Sequence, residues 1–285
     1  MRLLLLLVSA LGFVGVSLGG DCSPFARPWL VSFGHWQSGA LLNEWWVLTT
    51  YSRSADSEKL VARLGVDDLN GQSDTEQRIP VAEWINHNPY SDFRRSKRSP
   101  GNDLALVRLA WPARFTPQVQ PIALPTRCPQ TGEQCVVSGW GSTAPFQCDT
   151  AGASSRKQQC LMQPVLSDVS CQREHRLYSP IPHMFCAGYQ HTTKGNCLRD
   201  EGSVLVCGGV LQGVNGWGME GCSGRPETYS RVCHYRSWID KVMSTYFTTT
   251  TTTMPGSPEP TGDPRPSTST TRTTFWDPTG WGPTV

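Results

Sequence analysis

Hydrophobic and polar residues alternate, or gather into short apolar runs, from Pro28 to about Val232: Trp46-Val47-Leu48, Leu60 to Leu64, Leu104 to Leu109, Val136-Val137 and Val204 to Val206. Gly, Pro, Asn and Asp clusters separate these runs, a spacing that predicts an all-β barrel or sandwich. Only Tyr235 to Met243 places apolar residues at helical intervals, which predicts a C-terminal helix there.

The two ends of the chain follow different patterns. Met1-Arg2, the apolar run Leu3 to Val16 and the small residues Ser17, Gly19 and Gly20 have the three-part build of a secretory signal peptide, with cleavage expected near Gly19. No segment is apolar over the roughly 20 residues a membrane span needs. Beyond Phe247 come six consecutive threonines and a Thr, Ser and Pro tail that ends with Phe275, Trp276 and Trp281. Such a composition cannot bury a core and predicts a disordered, mucin-like stalk. The expected organisation is therefore a signal peptide over 1–19, a folded domain over 20–246 and a tail over 247–285.

A formal net charge of +2 on 285 residues gives no argument for a nucleic acid or membrane partner. Eleven cysteines in an exported, extracellular chain imply disulfides, and the odd count leaves at least one without an internal partner. No CxxC pair or close Cys/His cluster suggests a metal, and no cofactor is expected.

Five segments, Leu41 to Ser52 (LLNEWWVLTTYS), Gly101 to Leu109 (GNDLALVRL), Cys135 to Ser142 (CVVSGWGS), Cys197 to Gly218 (CLRDEGSVLVCGGVLQGVNGWG) and Pro226 to Ile239 (PETYSRVCHYRSWI), occur in the order and at the spacing of the chymotrypsin/trypsin family, which the chain resembles over roughly 220 residues. The resemblance implies two packed antiparallel β-barrels with a short C-terminal helix, and a peptide groove that Trp217 would line. It also implies bridges joining Cys22 with Cys160, Cys128 with Cys233, Cys135 with Cys207, Cys171 with Cys186 and Cys197 with Cys222, which leaves Cys148 over. The family's bridge beside its catalytic histidine is lost at both ends, because those positions hold Gln37 and Arg53.

Carried over residue by residue, the triad positions hold Ser52, Asp103 and Glu201. Serine cannot serve as a general base near neutral pH, and a carboxylate cannot become an acyl-accepting alkoxide. Losing nucleophile and base costs on the order of 10⁶ in kcat, about 8 kcal/mol of barrier. Arg199 stands at the oxyanion-hole glycine, Gly195 at the base of the specificity pocket, and Gly218 and Glu227 along its wall. No Ile-Val amino terminus is there to meet Asp200, so a precursor-like lock of Asp200 with His35 and Ser32 is expected. These residues predict a protein that is no enzyme and acts by binding a protease, inhibitor, receptor or glycan as a decoy, cofactor or ligand. The alternatives are an active trypsin-like serine endopeptidase and a cap on a mucin-like stalk.

The run Arg94-Arg95-Ser96-Lys97-Arg98 has three readings: a processing site cut after Arg98, a site for sulfated glycans, or a solvated loop.

Overall fold

A computed structural model describes residues 20–34, 37–50, 60–71, 73–87, 104–141, 156–175, 182–189, 201–216 and 225–251. The expected signal peptide and the tail beyond 251 lie outside the described residues. So do His35, Ser52, Arg53, the Arg94 to Arg98 run, Asp103, Cys148, Gly195, Cys197, Arg199, Asp200, Trp217, Gly218 and Cys222.

Six strands form the first barrel: β2 (Leu30–Ser32), β3 (Ser38–Leu41), β4 (Trp46–Thr50), β5 (Val61–Leu64), β6 (Gln77–Asn86) and β7 (Leu104–Leu109). β1 (Gly20–Asp21) belongs to the second sheet. The barrel order is β2-β3-β4-β7-β6-β5, and it closes where Val31 and Ser32 pair with Leu64 and Arg63.

The second sheet adds β8 (Gln134–Gly139), β9 (Gln159–Pro164), β10 (Met184–Ala187), β11 (Val204–Cys207), β12 (Val210–Asn215) and β13 (Glu227–Arg231), in the order β1-β9-β8-β11-β12-β13-β10. Its far strand is brought back to β9 by a bridge between Val165 and Ala187, supported by Leu166 N–H to Cys186 O at 2.8 Å and Gly188 N–H to Pro164 O at 2.9 Å. All strand pairs in both sheets are antiparallel, so the two-barrel architecture stands, with β1 as an added seventh strand. A short helix, α1 (Asp168–Glu174), is capped by the Ser167 hydroxyl, which accepts from Ser170 N–H.

The unbroken apolar runs have a structural cause. In β4, Trp46 and Leu48 face the core between the barrels while Val47 faces the interior of the first barrel. In β7, Leu104 and Leu106 point one way and Val107 and Leu109 follow the other cluster. In β11, Val204 and Val206 face the shared core, and Leu205 and Cys207 the second barrel. Successive side chains leave a strand on opposite sides, so a strand buried on both faces reads as a continuous run.

Among the described residues, four bridges join Cys22 to Cys160, Cys128 to Cys233, Cys135 to Cys207 and Cys171 to Cys186. Cys135 and Cys207 are also register partners across β8 and β11, so that bridge links neighbouring strands at a Cα separation of 4.2 Å.

α2 (Val232–Thr251) is longer than the 235–243 segment read from periodicity. Val232, Tyr235 and Ile239 are buried in the shared core, and Val242, Met243 and Tyr246 continue that face outward. The apolar stripe simply runs further than the dense part of the pattern. The unit that ends at Tyr246 contains both barrels; a second unit begins at Phe247. No described helix is long and apolar enough to cross a membrane.

Tyr246 fastens this helix to the first barrel. Its hydroxyl donates to Glu83 Oε2, its ring meets the edge of Trp46 at 5.2 Å, and the Arg108 guanidinium lies 5.3 Å from the ring centroid. Burial, then the hydrogen bond to the Glu83 carboxylate and its charge, push the phenol up to about 12 against a smaller opposing effect of Arg108. An unfolded tyrosine loses its proton near pH ~10. The contact's contribution to stability is therefore complete below about pH 10 and is lost as pH rises through the folded value. Alkaline unfolding should begin earlier in the wild type than neutral-pH stability implies, and Tyr246→Phe should flatten that dependence. Unfolding midpoints measured across pH 9 to 12 check this; parallel curves for the two proteins would count against it.

Candidate functional site

Among the described residues, main-chain bonds join the two barrels where Gln37 and Glu201 form a parallel bridge and Ser38 N–H donates to Glu201 O at 2.8 Å, and again where Asp68 bridges Lys157. Residue 201 opens a turn that enters β11, and Gly202 N–H donates to Asn215 O at 2.9 Å while Asn215 N–H donates to Ser203 O at 2.8 Å. Gly202 has φ +78°, and its α-carbon is pressed against the first barrel. A Cβ there would lie 1.9 Å from the Ser38 carbonyl oxygen, so this position requires glycine twice over, for conformation and for space.

On the first-barrel side the same contact is built from small polar residues. Thr49 Oγ1 donates to Ser38 O at 2.6 Å, and the Gln37 side-chain amide donates to Thr50 O at 3.0 Å and to Thr50 Oγ1 at 3.1 Å. Ser38, Thr49, Thr50, Ser203 and Asn215 are all buried, and Glu201 is partly exposed. Thr50 pairs across the barrel with Leu104. Ser52 follows Thr50 by two residues and Asp103 precedes Leu104 by one, but both are outside the described residues. Of the three triad positions only Glu201 can be located.

Two further expected residues are described. Ser32 is fully buried, and its hydroxyl donates to Gly34 O at 2.8 Å and accepts from Gly34 N–H at 3.3 Å. Glu227 is buried at the start of β13, opposite Ala187. The residue before it, Pro226, offers its carbonyl to His175 Nε2 at 2.9 Å. A carbonyl oxygen can only accept, so Nε2 carries the proton.

Sequence reasoning missed the histidine at the stem of the 88–103 segment. His87 N–H donates to Leu104 O at 2.8 Å, and its ring packs edge-on against Tyr235 and Trp238, each at 4.9 Å. Burial first, then the charge of His183, hold its pKa below the ordinary imidazole value, so it is neutral near neutral pH. The signal in the sequence is a lone histidine whose partners are roughly 150 residues away in α2, which no local pattern exposes. Among the described residues, one close group of ligand-type side chains occurs, Cys128, Cys233 and His234. Its two sulfurs are bonded to each other, which removes the thiolates a metal would need.

A family profile described as Trypsin matches residues 17–239. Human Kallikrein-15 is 38% identical over 240 residues, covering 79% of this chain and 90% of that protein. Trypsin-2 of Salmo salar is 36% identical over 234 residues, covering 80% and 95%, and a trypsin of Squalus acanthias is 36% identical over 231 residues, covering 79% and 95%. These matches correct the expectation that the chain is no enzyme. That reading rested on Ser52, Glu201, Arg199, Gly195, the missing Ile-Val terminus and the lost bridge at Gln37 and Arg53, with Asp103 kept as in the family. Of Ser52, Glu201, Arg199 and Gly195 only Glu201 is described, and it sits in an intact main-chain turn. Kinship at this level over nine tenths or more of the relatives' length points to an enzyme family.

Proposed function

This chain belongs to the trypsin family, and from that premise we propose that it engages polypeptides at the junction of its two barrels as a secreted, trypsin-like serine endopeptidase. The observation that carries the reading is the kinship with a kallikrein and trypsins over nine tenths or more of their length, and the turn at 201–203, held to Ser38 and Asn215 by main-chain bonds, supports the junction as the place where polypeptide is engaged. Extracellular location is supported by the disulfides and by the signal-like leader.

A second reading has one residue in its favour. Glu201 puts a carboxylate where the resemblance has the serine nucleophile, and the same junction would then work by binding a protease, inhibitor or receptor. Sulfated glycans at Arg94 to Arg98, processing after Arg98, pairing of Cys148 with another chain and the Ser32, His35 and Asp200 lock belong to either reading.

Fluorescein-labelled casein and a fluorophosphonate probe separate the two. The endopeptidase reading expects casein fragments that accumulate with time and stoichiometric labelling of the protein. Retention of intact casein with no label would replace it by the second reading. Neither cleavage nor retention would overturn both.

A further inference from the structure

Gln37 touches both halves of the junction. Its side-chain amide reaches Thr50 O at 3.0 Å, Thr50 Oγ1 at 3.1 Å and Thr49 Oγ1 at 3.4 Å, at the end of β4 from which the chain runs into the 51–59 segment. Its main chain pairs with Glu201 and accepts from Phe33 N–H at 2.9 Å. The next residue, Ser38, receives Thr49 Oγ1 on its carbonyl and gives its N–H to Glu201 O. All three side-chain contacts run the same way, from one amide donor to three oxygens. By the resemblance, the position is one half of a bridge whose other half is Arg53, so no covalent link can be made there.

We propose that Gln37 is a positioning residue that aligns the end of β4 at Thr49 and Thr50 with the turn at Glu201, by a hydrogen-bonded strap in place of a covalent one. The inference rests on the reading of the barrel junction as the polypeptide site. A disulfide would make this relation permanent under oxidising conditions. A strap of three hydrogen-bond contacts, shared by the two N–H bonds of one half-buried amide, can open and close within the folded state. The geometry of the junction is then adjustable without unfolding either barrel, and the donor character of one side chain sets how often it is closed.

Two substitutions isolate that donor. Gln37→Leu removes it, and Gln37→Glu keeps the shape but turns an acceptor toward three oxygens while the carboxyl is ionised. Hydrogen exchange read by mass spectrometry should show the Ser38 and Gly202 amides losing about tenfold in protection in both variants. Peptides from β8, β9 and α2 should keep their wild-type protection. When pH falls through the new carboxyl's pKa, Gln37→Glu should regain protection relative to wild type at the same pH, because the protonated carboxyl donates again. The concentration of fluorescein-labelled casein that half-saturates the protein should rise several-fold in both variants at neutral pH. Wild-type protection in Gln37→Glu at neutral pH would reduce Gln37 to a packing role, and a uniform rise of exchange across both barrels would make it a general stability effect; either result overturns the proposal. If the wild-type protein does not engage casein at all, the cleft reading fails, and the exchange results still decide the role of Gln37.

Discussion

Gly202→Ala should be the most damaging single-methyl change at the junction, lowering stability by more than about 4 kcal/mol and secreted yield with it. The added Cβ would sit 1.9 Å from Ser38 O, 2.8 Å from the Ser38 carbonyl carbon and 2.8 Å from Thr49 Oγ1. Two of these three atoms are main chain in a barrel strand and cannot swing aside. The left-handed φ of +78° adds about 1 kcal/mol for any residue with a Cβ. Relief would require the Ser38 to Glu201 hydrogen bond to break, which separates the two halves of the site. Thermal unfolding checks this: a fall in Tm of about 10 °C or more is expected for a domain of this size. A Tm within about 2 °C of wild type would refute the close approach of turn and strand.

Glu76→Ala should cost about 3–5 kcal/mol, because it strands a guanidinium that is largely withdrawn from water. Arg63 on β5 donates from Nε to Glu76 Oε1 at 2.6 Å and from Nη2 to Oε2 at 3.2 Å, and its Nη1 binds Leu69 O at 3.0 Å. The Arg63 and Glu76 side chains are 12% and 6% exposed, so water does not replace what the substitution removes. Burial by itself would raise the Glu76 carboxyl, but the hydrogen bond and charge of Arg63, joined by the more exposed Arg78, outweigh it and hold the pKa below its usual range. The pair's contribution is thus complete above the unfolded value of about 4.3 and is lost as pH falls through the folded one. Replacing both partners by leucine should recover most of the stability at pH 7 and remove this share of the acid sensitivity. Urea unfolding of wild type, Glu76→Ala and the double variant between pH 3 and 7 measures both effects. A single variant as stable as wild type at pH 7 would show the pair to be solvent-compensated.

Much of the fold could be read from the chain because strands buried on both sides leave unbroken apolar runs, as in Leu104 to Val107 and Val204 to Cys207. The C-terminal helix was visible by its period, but its length was not, since Val232 and Tyr246 lie beyond the dense part of the stripe. The return of β10 to β9 at Val165 and Ala187 left no mark in the sequence, as a single bridge has no composition of its own. At the candidate site, Gln37 could be seen as a position lacking a cysteine, but not as a donor to Thr49 and Thr50, because both partners are ordinary strand threonines. The judgement about catalysis fared worst. Single letters at 52, 195, 199 and 201 were weighed against a pattern spread over more than two hundred residues, and the wider pattern is what kinship measures.

The way α2 is mounted has a mechanical consequence. The helix grows directly out of β13 in the second barrel, with Arg231 and Val232 as consecutive residues, yet its last described side chain, Tyr246, is tied to Glu83, Arg108 and Trp46 of the first. A pull on the chain beyond Tyr246 would therefore load β6 and β7 before it reached β13.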